Sequence, residues 1–248
     1  MDTDISAQVD LLKLSPRETI HLHRVLRLKP GDTCQVFNRK GWGAQAIIET
    51  ISRTEGAQLR LVKIFPSKEK SVVLKVGQAL PQKKKMDDLI KQAEELGVDE
   101  LWVLETERTV VKMSSEGRER AKARWERVVI EAAKQSGNPA LMRVEGPVPF
   151  EKALEQGIKD SDTAFLFHPG PSGLSFSSVV EKLRGGEKQA VPRSIFLFFG
   201  PEGGFSEREV RLAESQGIQK VFLGDTTLRV ETAFLGVVSA VRFLAGGQ

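Results

Sequence analysis

From Ser71 onward the chain alternates compact apolar runs with amphipathic helices, and this alternation constrains its fold more than any other feature. The runs "VVLKVGQAL", "DELWVLETER", "ALMRV", "TAFLFH", "SIFLFFG" and "KVFLG" read as strands. Several are apolar along their whole length, as strands covered on both faces are, so a mainly parallel sheet is expected. Between them, "KKKMDDLIKQAEELGV" places Met86, Leu89, Ile90, Ala93 and Leu96 on one helical face, and Gly97 closes it. "ERAKARWERVVIEAAKQSG" repeats the pattern with Trp125, Val128, Val129 and Ala132. The fold class is α/β.

The first part of the chain follows another grammar. "SPRETIHLHRVLRL" reads as a helix with Ser15 as N-cap and Pro16 in its first turn, ended by "KPGD". "DTCQVFNR", "WGAQAIIETI" and "GAQLRLVKIF" then read as strands of a small barrel-like module. "FPSKEKS" at 65–71 is a polar linker. Two domains are expected, at 1–70 and 71–248.

Composition excludes more than it selects. The net charge of +4 lies entirely within residues 1–72, the remainder being balanced; an excess this small permits a polyanionic partner without requiring one. A single cysteine, Cys34, allows no internal disulfide. The acidic start "MDTDISAQVD" has no apolar core of a secretory signal, and no apolar run reaches the roughly 18 residues of a membrane span. A cytoplasmic protein without a membrane partner is expected. His21 and His23 share no helical face and His168 stands alone, so no metal is expected either.

Ligands of parallel sheets gather beyond the carboxyl ends of the strands. Three strand ends here run into conspicuous loops: "FHPGPSG" at 167–173, "GPEGG" at 200–204 and "LGDTT" at 223–227. The glycines of the second suit either unusual dihedrals or close approach of a ligand to backbone. Ser206 and Glu209 follow as a capping box. On its residues alone this loop serves equally as a tight turn launching a helix. Its spacing fits neither the dinucleotide fingerprint nor a Walker loop, no G-x-S-x-G occurs, and Glu202 would repel a phosphate. A neutral or cationic ligand held by backbone groups is the better match. Arg229 and Glu231 in "LRVETA" add charge beside the third loop; by themselves they read equally as a surface ion pair.

Taken together, "LFFGPEGGFSEREV" and "LGDTTLRVETA" closely resemble the two signature motifs of the RsmE family, ribosomal RNA uridine-N3 methyltransferases of the SPOUT superfamily. "HLHRVLRLKPGD", "KKKMDDLIKQAEELGVDELWVLETER" and "EAAKQSGNPALMRV" resemble further family segments in the same order, so the likeness covers nearly the whole chain. It implies a PUA-like β-barrel domain followed by a SPOUT domain with a deep trefoil knot. It also implies S-adenosylmethionine as cofactor, a homodimer, and N3-methyluridine at position 1498 of 16S ribosomal RNA in the small subunit as product.

The resemblance assigns the cofactor to Phe167, His168, Phe199, Gly200, Pro201, Gly203, Gly204, Leu223, Gly224 and Leu228. For that reaction Arg229 is the candidate to stabilise charge growing on a uracil carbonyl, by hydrogen bonds to its oxygen. Glu231 then orients Arg229, acts as base, or caps the following helix. Arg24 and Arg27, three apart on one helical face, together with Lys83 and Lys84 of the run 83–85, suit RNA phosphates, though solvated basic surface reads the same way. Two positions depart from the family pattern: Thr227 replaces an apolar residue, and Asn138 stands where arginine is common. The rival readings are a SPOUT enzyme for another RNA site and a non-catalytic RNA-binding protein.

Overall fold

The computed structural model describes residues 5, 10–38, 41–52, 54–66, 71–82, 85–170, 172–184 and 192–244. The chain divides into two units, Met1–Glu69 with Pro139–Leu141, and Lys70–Asn138 with Met142–Gln248.

The first unit is a four-stranded antiparallel sheet. Its strands are β1 (Leu11–Lys13), β2 (Thr33–Phe37), β3 (Trp42–Ser52) and β4 (Gly56–Pro66), in the order β1-β4-β3-β2. Alternating Ala44, Ala46 and Ile48 on β3 and Ala57 and Leu59 on β4 turn inward to form its core with Leu12, Leu14 and Leu22. Helix α1 (Pro16–Ile20) starts as its sequence predicts, with the Ser15 hydroxyl accepting from the Glu18 N–H.

The helix does not continue to Leu28. At His21–Val25 it widens into a π turn, with the Leu26 N–H reaching the His21 carbonyl, and Arg27 takes a left-handed conformation (φ 57°). Arg24 and Arg27 are both exposed, but they do not share a helical face, because the helix has ended between them. This corrects the expected spacing. Lys83 and Lys84 lie outside the described residues.

The second unit is built on seven parallel strands: β5 (Val73–Ala79), β6 (Glu100–Glu105), β7 (Arg143–Pro149), β8 (Thr163–Phe167), β9 (Leu174–Ser175), β10 (Ser194–Phe199) and β11 (Gln219–Phe222). Their order is β7-β6-β5-β10-β8-β11-β9. Of the expected strand "ALMRV", only Arg143 and Val144 belong to β7. The middle strand, β10, is buried from Ile195 to Phe199, which is why its sequence shows no alternation.

The helices of this unit are α2 (Lys85–Glu95), α3 (Ser115–Ser136), α4 (Phe150–Lys159), α5 (Phe176–Arg184), α6 (Glu207–Ser215) and α7 (Val230–Leu244). The α2 stripe Met86, Leu89, Ile90 and Ala93 is buried as its periodicity predicts. The same helix carries the fully buried Glu94, whose carboxylate accepts from Asn138 Nδ2 and from the Met142 N–H, both at 2.8 Å. Asn138 therefore acts within the chain, helping to keep a buried carboxyl group hydrogen-bonded. No described helix is long and apolar enough to cross a membrane.

Candidate active site

At the carboxyl ends of β8, β10 and β11 the three glycine-bearing loops enclose a cavity of about 630 Å³. Its size suits a small organic ligand. The strands position its walls. Phe167 and Phe199, each the last residue of its strand, sit opposite one another in the β8–β10 ladder, and Phe234 of α7 packs on Phe199 with ring centroids 5.4 Å apart.

Each loop is fixed by the turn or helix that succeeds it. After β10, Ser206 caps α6 by accepting from the Glu209 N–H, and Glu209 accepts in turn from the Ser206 N–H at 2.8 Å. This reciprocal box lies buried, and Glu209 Oε1 also accepts from the Glu107 N–H at 2.8 Å, tying the loop after β6 to α6. A Cβ on Gly200 would stand 3.0 Å from backbone atoms of Gly204 and Phe205, so any side chain there would push the turn open by a few tenths of an ångström. After β11, Gly224 has φ 134°, outside the reach of ordinary side chains.

Nine of the ten expected cofactor residues line the cavity: Phe167, His168, Phe199, Gly200, Pro201, Gly204, Leu223, Gly224 and Leu228. Gly203 does not line it. It turns toward the loop after β6, where its carbonyl accepts from Arg108 Nη1 at 2.7 Å. Thr227 lines the cavity and is exposed, so the hydroxyl at this position is not buried in an apolar core. His168 contributes a ring whose pKa is pushed below the usual histidine value by burial, then by the nearby Lys220 and Arg108 cations. A proton donor or acceptor role is not needed to explain it.

Arg229 and Glu231 both line the cavity, but they do not pair with each other. Among the described residues the Arg229 guanidinium makes no hydrogen bond or ion pair, leaving its planar fork of donors available to a ligand. Glu231 instead meets Lys85, with Nζ 2.6 Å from Oε1. That hydrogen bond chiefly holds the Glu231 carboxyl below the usual range. An anion stabilised in this way is a poor base. The same ammonium lies 3.5 Å from Glu202 Oε1, and both Glu202 oxygens accept from the Gln82 N–H at 3.1 Å. Lys85 is legible in the sequence only as the end of a basic run; nothing local marks its partners.

The glycine-bounded cavity at the carboxyl edge of this all-parallel sheet belongs to a chain that matches one protein class, the RNA methyltransferase domain. The family model of that description matches residues 68–242. Ribosomal RNA small subunit methyltransferase E of Bacillus subtilis is 28% identical over 235 residues, covering 93% of this chain and 89% of its own. The Synechocystis protein of the same name is 32% identical over 220 residues, covering 89% and 69%. A Legionella pneumophila structure solved with the cofactor SAM bound matches with a TM-score of 0.79 at 25% identity, over 94% of this chain and 91% of that one. The chain belongs to the ribosomal RNA small subunit methyltransferase E family, the RsmE family whose motifs it carries.

Proposed function

We propose that this protein transfers a methyl group from S-adenosylmethionine to N3 of a uridine in 16S ribosomal RNA, at position 1498. The observation that carries the reading is the cavity between the loops after β8, β10 and β11, with Arg229, unpartnered among the described residues, on its wall. The residues present fit the cofactor. Glycine-bounded loops expose backbone groups to a polar adenosyl and amino-acid ligand. Leu223 and Leu228 would supply apolar surface, and the lining carboxylates Glu202, Asp225 and Glu231 outnumber the cations Lys85 and Arg229, which suits a positively charged ligand. When bound, the cofactor supplies an electrophilic methyl group.

The protein's own part is orientation and charge control. Uridine N3 lies on the Watson–Crick edge and carries a proton at neutral pH, so the base must be unpaired to enter. As N3 gives that proton up to solvent water, charge spreads to the carbonyl oxygens, and Arg229 donates hydrogen bonds to one of them. Glu231, kept ionised by Lys85, serves position rather than proton removal.

The expected trefoil knot, the homodimer and the division at 70/71 belong to the same reading. So does the assignment of the first unit, with Arg24 and Arg27, to RNA phosphates. Phe243, 66% exposed on α7, is apolar surface that a second copy would cover.

The test is methyl transfer from labelled cofactor to small ribosomal subunits of a strain lacking this modification, followed by nucleoside analysis. Labelled N3-methyluridine is expected, with kcat reduced on the order of 10²–10³-fold in Arg229→Ala while cofactor binding is retained. Folded, cofactor-binding protein that yields no N3-methyluridine would overturn the substrate assignment.

A further inference from the structure

Lys85 occupies an unfavourable place by local rules. It opens α2, where the helix dipole and unpaired N–H groups disfavour a cation. Tertiary contacts compensate, because two carboxylates from distant segments converge on its ammonium: Glu231 at 2.6 Å and Glu202 at 3.5 Å. All three side chains line the cavity. One cation thus joins the start of α2, the loop after β10 and the start of α7.

Stability does not account for this arrangement. The Lys85 and Glu231 side chains are 33% and 32% exposed, and ion pairs in contact with solvent contribute little to folding. Geometry accounts for it better. Glu231 stands two residues after Arg229, at the turn where α7 begins, and its Oε1 is committed to Lys85. The other oxygen, Oε2, is shielded from solvent and has no hydrogen-bond partner among the described residues. A carboxylate held this way has lost the rotational freedom that an exposed glutamate keeps, and the backbone next to Arg229 is anchored with it.

We infer that Lys85 is a positioning residue for methyl transfer: acting through Glu231 and Glu202, it fixes the segment carrying Arg229 against the loop after β10. The inference rests on the reading under Proposed function for the reaction concerned, but the Lys85–Glu231 lock is measurable without it.

The experiment compares wild type with Lys85→Met, Lys85→Arg, Glu231→Gln and the double variant Lys85→Met/Glu231→Gln. Cofactor affinity is measured by calorimetry, folding by thermal melting, and methyl transfer on small ribosomal subunits. Carbon NMR of glutamate-labelled protein follows the side-chain signal that Glu231→Gln removes.

Lys85→Met is expected to lower kcat on the order of tenfold or more, with the KM for RNA little changed. The activity ratio of wild type to Lys85→Met widens as pH falls from about 6.5 toward about 4.5, because Glu231, left with only the Arg229 cation beside it, is no longer held as far below the ordinary carboxylate range. Its carbon signal titrates at higher pH than in wild type. Lys85→Arg, which keeps the cation, recovers part of the rate. In the Glu231→Gln background, Lys85→Met adds little, since the two residues act as one unit.

Wild-type kcat in Lys85→Met, an unmoved Glu231 titration, or fully additive losses in the double variant would each overturn the inference. If Lys85→Met does not fold, the titration in Lys85→Arg and the rates of Lys85→Arg with and without Glu231→Gln decide in its place. Wild-type protein inactive on small subunits overturns the substrate reading, and the NMR titration then decides separately whether Lys85 holds Glu231.

Discussion

Phe167 and Phe199 stack face to face across neighbouring parallel strands, with ring centroids 4.9 Å apart and planes 10° from parallel. The pair closes the carboxyl edge of the sheet under the cavity, where Phe199 is only 2% exposed. Phe199→Ala removes a packed ring that also touches Phe234. A loss of about 3–5 kcal/mol in urea unfolding is expected. A change below about 1 kcal/mol would show that this edge repacks without it.

The glycines of the loop after β10 are not equivalent. A methyl group on Gly200 meets the backbone of Gly204 and Phe205 at 3.0 Å, whereas one on Gly203 meets only the Arg108 side chain, at 3.6 Å. Gly200→Ala is therefore expected to weaken S-adenosylmethionine binding on the order of tenfold or more by calorimetry. Gly203→Ala should stay within about threefold of wild type. Equal effects would mean that the loop's backbone, rather than its packing, tolerates or rejects both.

His168 makes stability depend on pH in a defined direction. Burial and neighbouring cations lower its folded pKa below the ordinary 6.5. Between the two values the unfolded chain binds the proton and the native chain does not, so native stability falls as pH drops through about 6.5 toward the folded pKa. Urea unfolding at about pH 7.5 and about pH 5.5 should show a larger loss for wild type than for His168→Gln. Identical pH dependence in both would show that His168 titrates alike in the native and unfolded chains.

Arg229→Lys is expected not to restore transfer. Lysine keeps the charge but loses the planar fork that can meet a carbonyl oxygen from a fixed direction. The kcat should remain down by about tenfold or more, with cofactor affinity close to wild type. Full activity in Arg229→Lys would show that charge alone suffices.

Much of the fold is legible in the sequence because its causes are local. The buried stripe of α2 follows from apolar spacing, and the α6 cap from a serine three residues before a glutamate. Two strands leave no such mark. β1 has three residues and β9 two, too few for any alternation to show. Both exist because a longer neighbour supplies their hydrogen bonds, β4 for the first and β11 for the second. Spacing alone puts Arg27 on a helical face, and the π turn before it removes that face.

The cavity residues divide the same way. Gly200, Gly204 and Gly224 are marked in the sequence, since glycine beside a strand end signals backbone that a side chain would obstruct. Gly203 carries the same signal but faces Arg108. Its direction depends on a loop distant in sequence.

By itself, the sequence determined the order of the longer strands, helices α2 and α3, the caps, the glycine loops and the family, because each is written in neighbouring residues or in motif order. Only the tertiary structure decided that Glu231 belongs to Lys85 rather than to Arg229. Charges pair through space, and the parallel sheet brings the starts of α2 and α7 together from opposite ends of the domain. No spacing along the chain encodes that meeting.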